Sequence, residues 1–211
     1  MQNDKLQGIT NQSATSICPE IFLMSNHHFI SYSAADAAEF ASNLADTLEA
    51  ESPTIPVWFD KRKMQGGPDW DVQLVEAIRS CASLLFVMTR DSVEDKSGCK
   101  LEWTRALSYK KPIIPLKLHA DAEMPFRLGS RQFINFTGSF DAGMAHLRQR
   151  LKKLASPAGE LEILQDRLAD AKRDLRRATE AIQKFRIEEE LDLLQKQIAE
   201  QQRVADDPEA A

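Results

Sequence analysis

The sequence predicts an α/β fold: a flavodoxin-like, doubly wound sheet of five parallel strands, followed by a helical heptad arm. Three observations predict it. Between about residues 28 and 154, short aromatic and β-branched bursts alternate with segments whose apolar residues recur every three or four positions. That alternation is the pattern of βαβ units and therefore of a parallel sheet. One burst, Leu84 to Met88, is apolar throughout, as a strand covered on both faces must be. At about Pro157 the composition changes. All three Trp, both Tyr and nine of the ten Phe precede it, and no Gly or Pro occurs between Gly159 and Asp207. A compact domain followed by an extended helical segment has this pattern.

The elements follow in order. A flexible segment is expected over 1–26. His28-Phe-Ile-Ser-Tyr reads as the first strand. Asp36 opens a helix that carries Ala37, Phe40, Leu44 and Leu48 on one face. Pro56-Val-Trp-Phe-Asp is the second strand, and a polar, glycine-containing loop spans 61–69. Trp70, Leu74, Ala77, Ile78 and Cys81 mark a second helix; Leu84 to Met88 is the third strand. Leu101, Ala106 and Leu107 lie on a third helix. Ile113-Ile-Pro-Leu-Lys-Leu and Phe133-Ile-Asn-Phe are the remaining strands, with Met124 to Ser130 irregular between them. Phe140 to Leu154 closes the domain as a helix, apolar at Met144, Leu147 and Leu151. In a doubly wound sheet the ligand crevice lies beyond the carboxyl ends of the strands, where strand order reverses. Loops 33–36, 61–69 and 90–98 are expected to meet there.

The arm, 159–204, follows a different rule. Leu161, Leu164, Leu168, Ala171, Leu175, Ala178, Ile182 and Phe185 alternate at spacings of three and four, a heptad seam. The phase slips, then resumes at Ile187, Leu191, Leu194 and Ile198. The slip marks either a turn near 184–188 and a helical hairpin, or a register break in one long coiled-coil helix. Self-association through the seam, or packing on a neighbour absent from this chain, is favoured over packing on the chain's own domain, because an isolated seam exposes many apolar residues. Residues 205–211 form a polar tail.

Composition excludes several functions. The net charge is −5, and 9 basic against 14 acidic residues after Leu154-Ala-Ser-Pro-Ala carry all of it. A nucleic-acid binder is therefore not expected. The longest apolar run is too short to span a bilayer, and the first residues hold no apolar signal core. The three cysteines, Cys18, Cys81 and Cys99, form neither a CxxC nor a disulfide framework, which fits the reducing cytoplasm. His27 and His28 are adjacent, without carboxylate or thiol companions at metal spacing, so no metal is expected. No GK[ST] phosphate loop occurs.

Several boxes occur together. Phe29-Ile-Ser-Tyr-Ser is followed by Asp36; Val57-Trp-Phe-Asp by Lys61-Arg-Lys-Met-Gln-Gly-Gly-Pro-Asp-Trp; Cys99-Lys-Leu-Glu-Trp by Lys111-Pro-Ile-Ile-Pro-Leu. In order and spacing this stretch resembles Toll/interleukin-1 receptor (TIR) domains over residues 27–156. The resemblance implies one of two functions. Some TIR domains are scaffolds that assemble with other TIR domains. Others, many of them bacterial, cleave NAD+ to nicotinamide and ADP-ribose or its cyclic isomers.

The glutamate of the second class sits in a Cys-x-x-Glu box, which here is Glu102. Such a placement suits the chemistry, because loss of nicotinamide passes through an oxocarbenium-like ribose that a carboxylate stabilises. An acid in the first turns of a helix is also favoured by the helix dipole alone. By the same resemblance the substrate-binding set is Ser31, Ser33, Asp36, Lys61, Arg62, Lys63, Gly66, Trp70 and Cys99. Cations and backbone N–H groups of loop 61–69 suit a pyrophosphate, and equally an ordinary solvated turn. Relatives that cleave NAD+ often carry an aromatic residue four positions before the glutamate; here that position is Gly98. No cofactor is implied, NAD+ being the substrate. Implied partners are other TIR domains and, as in bacterial multidomain immunity proteins, a sensor or ATPase domain outside this chain.

Overall fold

A computed structural model of the chain describes residues 27–59, 70–129 and 131–206. The expected N-terminal segment, loop 61–69 and most of the tail fall outside them. Five strands form one parallel sheet: β1 (His28–Ser31), β2 (Val57–Trp58), β3 (Ser83–Met88), β4 (Ile113–Lys117) and β5 (Ile134–Asn135). Their order is β2-β1-β3-β4-β5. This is the flavodoxin-like arrangement, with the switch point between β1 and β3.

The central strand explains the two-faced architecture. All six residues of β3 are buried, and alternate side chains enter opposite cores. Leu85 and Val87 join Ile30, Leu44, Leu48, Ile114, Leu116, Met144, Leu147 and Leu151 on one face. Leu84, Phe86 and Met88 join Phe29, Trp58, Ile78, Trp103 and Ala106 on the other. Helices α1 (Ala38–Glu49) and α4 (Phe140–Leu154) cover the first face; α2 (Trp70–Ser80) and α3 (Gly98–Ser108) cover the second. Phe29 stacks on Trp58 with ring centroids 4.8 Å apart, tying β1 to the short β2.

Pro115 lies inside β4 and has no N–H to give a ladder. Leu118 N–H donates to Met88 O, so N–H groups of the even-numbered residues of β4 face β3. Pro115 faces the other side, where pairing with β5 starts only at Leu116. The missing donor therefore costs no hydrogen bond between strands.

Details differ from the sequence expectation. The outer strands β2 and β5 are two residues each, shorter than their aromatic runs; Phe59 and Phe136 follow them and stay buried in the core, and Phe136 N–H still donates to Lys117 O at 2.8 Å. Helix α1 begins at Ala38, and its N-cap Ala37 makes no side-chain cap; Asp36 is used elsewhere. On α3 the buried residues are Cys99, Trp103 and Ala106, while Leu101 is 75 % exposed. The irregular stretch after Met124 contains one 3-10 turn, Phe126–Leu128, whose Leu128 is buried.

The C-terminal part is two helices, α5 (Pro157–Arg177) and α6 (Ala181–Asp206). The break falls at Ala178–Glu180, not at 184–188. Helix α5 starts cleanly. The Ser156 hydroxyl accepts from Gly159 N–H at 3.3 Å, and Pro157 occupies the first turn. Both helices pack on each other, and α5 packs on α4. Gln201 near the end of α6 donates to Glu160 near the start of α5 at 3.0 Å, so the pair is antiparallel.

The expected intermolecular seam is thus engaged within the chain from Leu161 to Ala178, whereas its last two members, Ile182 and Phe185, are exposed. Leu161, Leu164, Leu168 and Leu175 are half-buried and Ala171 is fully buried. Charge fastens the hairpin to the domain: Arg150 and Lys153 with Glu162 at 2.6 and 2.9 Å, Arg131 with Asp170 at 3.0 Å, Lys110 with Glu190 at 2.8 Å.

Candidate active site

The carboxyl ends of β1 and β3 meet at the switch point, and a hydrogen-bonded lock joins their loops. Ser33 donates to Asp91 at 2.5 Å and accepts from Ala35 N–H at 3.1 Å. The Asp36 carboxylate accepts from Thr89 Oγ1 at 2.7 Å and from Asp91 N–H at 3.2 Å. Ser92 and Thr89 close a second small turn, with Thr89 N–H donating to Ser92 Oγ at 2.8 Å. From the end of β4, His119 Nδ1 accepts from Arg90 N–H at 3.4 Å and lies 3.9 Å from Asp36. Arg90 in turn pairs with Asp121, which holds that carboxyl below its ordinary range. Beside this pair, Leu118, Ala120 and Thr137 line an open depression of about 470 Å3.

Helix α3 supplies the acid. Ser97 caps it by accepting from Cys99 N–H at 3.3 Å, which sets where the first turn points. Cys99, Trp103 and Ala106, spaced four and three apart, turn inward against Phe29, Phe86 and Met88. Glu102 stands one residue before Trp103, at the margin of that buried stripe, and is half-buried. It comes one turn after Cys99, so the two side chains are neighbours.

Burial first, and then the Glu102 carboxylate, push the Cys99 thiol up to about 11, while the nearby Ser97 and Ser31 hydroxyls oppose the shift. Cys99 is therefore a neutral packing residue at pH 7 rather than a nucleophile. The same interactions bring Ser31, at the end of β1 opposite Phe86, into one cluster with Cys99 and Glu102.

The sequence-derived set thus divides. Ser31, Cys99 and Glu102 converge. Ser33 and Asp36 stand at the same edge, holding the β1 and β3 loops together. Lys61, Arg62, Lys63 and Gly66 lie outside the described residues, as does the Trp70 side chain. Gly98 begins α3 with open space where a side chain would project. The sequence reading missed Thr89, Asp91, Ser92 and His119. Their signal was the Thr-Arg-Asp-Ser run directly after an apolar strand, residue types that bond to neighbouring backbone.

A larger cleft, about 740 Å3, lies lower on α3 between Thr104, Lys110 and α5. Much of its charge is already matched: Arg173 pairs with Asp170, Lys110 with Glu190, and Arg177 covers the Phe126 ring. The upper site is distinguished by chemistry rather than size. Among the described residues no three His, Cys, Asp or Glu side chains converge as metal ligands. Burial holds His28 near pKa 4, with His27 adding to the shift, so it is neutral inside the sheet. No helix among the described residues is long and apolar enough to cross a membrane.

No curated protein sequence matches the chain. The TIR domain of the Toll-related receptor TRR-2 from Hydra magnipapillata is similar in fold, at 19 % identity and a TM-score of 0.51, over 61 % of this chain and 98 % of that one. A prokaryotic SEFIR domain aligns at 23 % identity and a TM-score of 0.47, over 59 % and 96 %. A metazoan TIR-STING receptor from C. gigas aligns at 20 % identity and a TM-score of 0.44, over 72 % and 51 %. The TIR domain family model matches residues 29–148, which include Ser31, Glu102 and all five strands except the first residue of β1, His28. This chain belongs to the TIR domain family.

Proposed function

We propose that the chain is an NAD+ glycohydrolase of bacterial immune signalling, with Glu102 as its catalytic residue. One observation supports this above the others: Glu102 is half-buried on the second turn of α3, next to Cys99, at the switch-point edge of the sheet. In the reaction the bond between ribose C1′ and the nicotinamide nitrogen breaks. Its electron pair goes to the nicotinamide ring, which becomes neutral. The ribose gains oxocarbenium character, and Glu102 stabilises that charge. Water adds at C1′ and loses a proton, leaving nicotinamide, ADP-ribose and a proton.

Ser33 and Asp36 hold the loops that flank the ribose. Lys61, Arg62, Lys63 and Gly66 take the pyrophosphate, and Trp70 contacts a ring. Cys99 supports Glu102 from below. The protein works in the cytoplasm without a metal or cofactor, and contacts between TIR domains complete it. The test is nicotinamide release from NAD+ by the full chain over a concentration series, with Glu102→Gln beside it. Loss of about 3 kcal/mol of transition-state stabilisation slows the variant roughly a hundredfold. Equal turnover by a folded variant would overturn the assignment.

A second reading has its own observation. Gly98 supplies no ring to stack on the substrate, and the next apolar residue of α3, Leu101, is 75 % exposed. A non-catalytic TIR module would use that helix face as a protein contact. Absence of nicotinamide release at every concentration, with Leu101→Glu weakening self-association, is the outcome that reading expects.

A further inference from the structure

Helix α6 is apolar on two sides, and among the described residues only one of them is covered. At about 100° per residue, Ile187, Leu191, Leu194 and Ile198 share the side that faces α5. They are half-buried or, for Leu194, fully buried. Ile182, Phe185 and Leu193 share the opposite side, exposed by 71 %, 60 % and 55 %. Between them on that outer side are two exposed charges of opposite sign, Arg186 and Glu189.

Their order along the helix is self-complementary. Laid antiparallel on a second copy about a two-fold axis between Ile187 and Glu188, Ile182 meets Leu193 of the other chain. Arg186 meets the other chain's Glu189, Phe185 flanks the apolar contact, and each contact occurs twice, as an isologous interface requires. A parallel arrangement instead opposes Arg186 to Arg186 and Glu189 to Glu189, which repels.

We propose that the outer face of α6 is a homotypic docking surface, pairing antiparallel with the same face of a second copy of this chain. The surface is separate from the α5 seam, which is spent inside the hairpin, and from the sheet edge that carries Glu102. Three apolar side chains per copy bury less than the roughly 1,200 Å2 of stable interfaces. The pairing is therefore weak and fills when domains are concentrated, raising the effective concentration of a neighbouring TIR domain.

Charge exchange tests it on the full chain. Arg186→Glu opposes glutamates twice in its own homodimer, and Glu189→Arg opposes arginines twice. A mixture of the two variants restores both attractive pairs. In sedimentation across a concentration series, wild type is expected to shift toward twice the chain mass. Each variant alone is expected to lose that shift, and the mixture to regain it. Position is tested in a Cys18→Ser background, the other two cysteines being buried. Ile182→Cys with Leu193→Cys is expected to give an oxidised covalent dimer, and neither single substitution to do so. A mixture no heavier than its components overturns the proposal, as does a dimer trapped by Ile182→Cys alone.

Discussion

The sheet domain and the hairpin are both built from apolar periodicity, but they are held in place differently. The sheet domain has two cores of fully buried side chains, with β3 wholly enclosed between them. Among its described residues the hairpin fully buries only Gly159, Ala171, Ala178 and Leu194. It is fastened instead by a half-buried leucine seam and by ion pairs at its margins. Burial of apolar area is cooperative and insensitive to salt, whereas exposed pairs are individually worth under about 1 kcal/mol and are screened. The rigid region is thus the one that positions Glu102. The hairpin is a lighter attachment, free to open without unfolding the site.

The sharpest way to break that comparison is the same deletion in both regions. Leu85 and Leu194 are each fully buried. Leu85→Ala is expected to cost about 3–5 kcal/mol and to lower protection of every strand against hydrogen exchange. Leu194→Ala should speed exchange only over 157–206, leaving β1, β3 and β4 unchanged. Equal loss across the chain in both variants would show one cooperative unit.

Acid separates the regions next. His28 titrates near 4 in the fold against 6.5 when exposed, and its Nδ1 lies 2.8 Å from Ser83 Oγ. The unfolded chain therefore takes up the proton first. Stability from this group is complete above pH 6.5 and falls as the pH drops toward 4, by about 2 kcal/mol at pH 5. Denaturant unfolding of the sheet domain at pH 7 and 5 measures it. His28→Asn keeps a polar atom near Ser83, lacks the titrating ring, and is expected to flatten that dependence.

The joint between the regions is tight at one glycine. A Cβ on Gly159 would come 2.1 Å from Lys153 O and 2.6 Å from Leu154 Cα, so Gly159→Ala must push α5 away from the end of α4. The expected cost is about 1–3 kcal/mol, read as faster proteolysis within 157–206 with the sheet intact. The smallest effect belongs to the margin. Arg150 and Lys153 hold the Glu162 carboxyl down to about 2, so its contribution is present above pH 4.5 and lost as the pH falls toward 2. Because the group is largely solvent-screened, Glu162→Gln should loosen the hairpin by only about 0.5 kcal/mol, and less at high salt.

Much of the sheet domain was legible because burial on two faces leaves a one-dimensional trace. Leu84 to Met88 has to be a central strand, since few other positions in a domain accept five apolar residues in a row. The carboxyl edge was legible from topology; Glu102 was named only through the family resemblance, and the spacing fixes no more than its place one helix turn after Cys99. Leu101 lies on α3 as expected, but hydrophobicity alone does not say which stripe of a helix turns inward; packing with Phe29 and Phe86 selects Cys99, Trp103 and Ala106. Asp36 read as a helix opener, but Thr89 and Asp91, distant in sequence, claim its carboxylate.

The sequence by itself determined the alternation of strands and helices, the two-sided burial of β3 and the apolar periodicity of the arm. These depend on spacing along the chain, which local backbone geometry converts directly into faces. Tertiary structure decided what each face meets. A heptad seam is equally satisfied by a neighbouring chain or by the next helix, and nothing in its spacing distinguishes them. The turn at Ala178–Glu180 and the ion pairs of Arg131, Arg150 and Lys110 bring the arm back onto its own domain. Intramolecular contact then wins because the partner helix is already tethered close by, while Ile182, Phe185 and Leu193 on the outer face of α6 stay exposed.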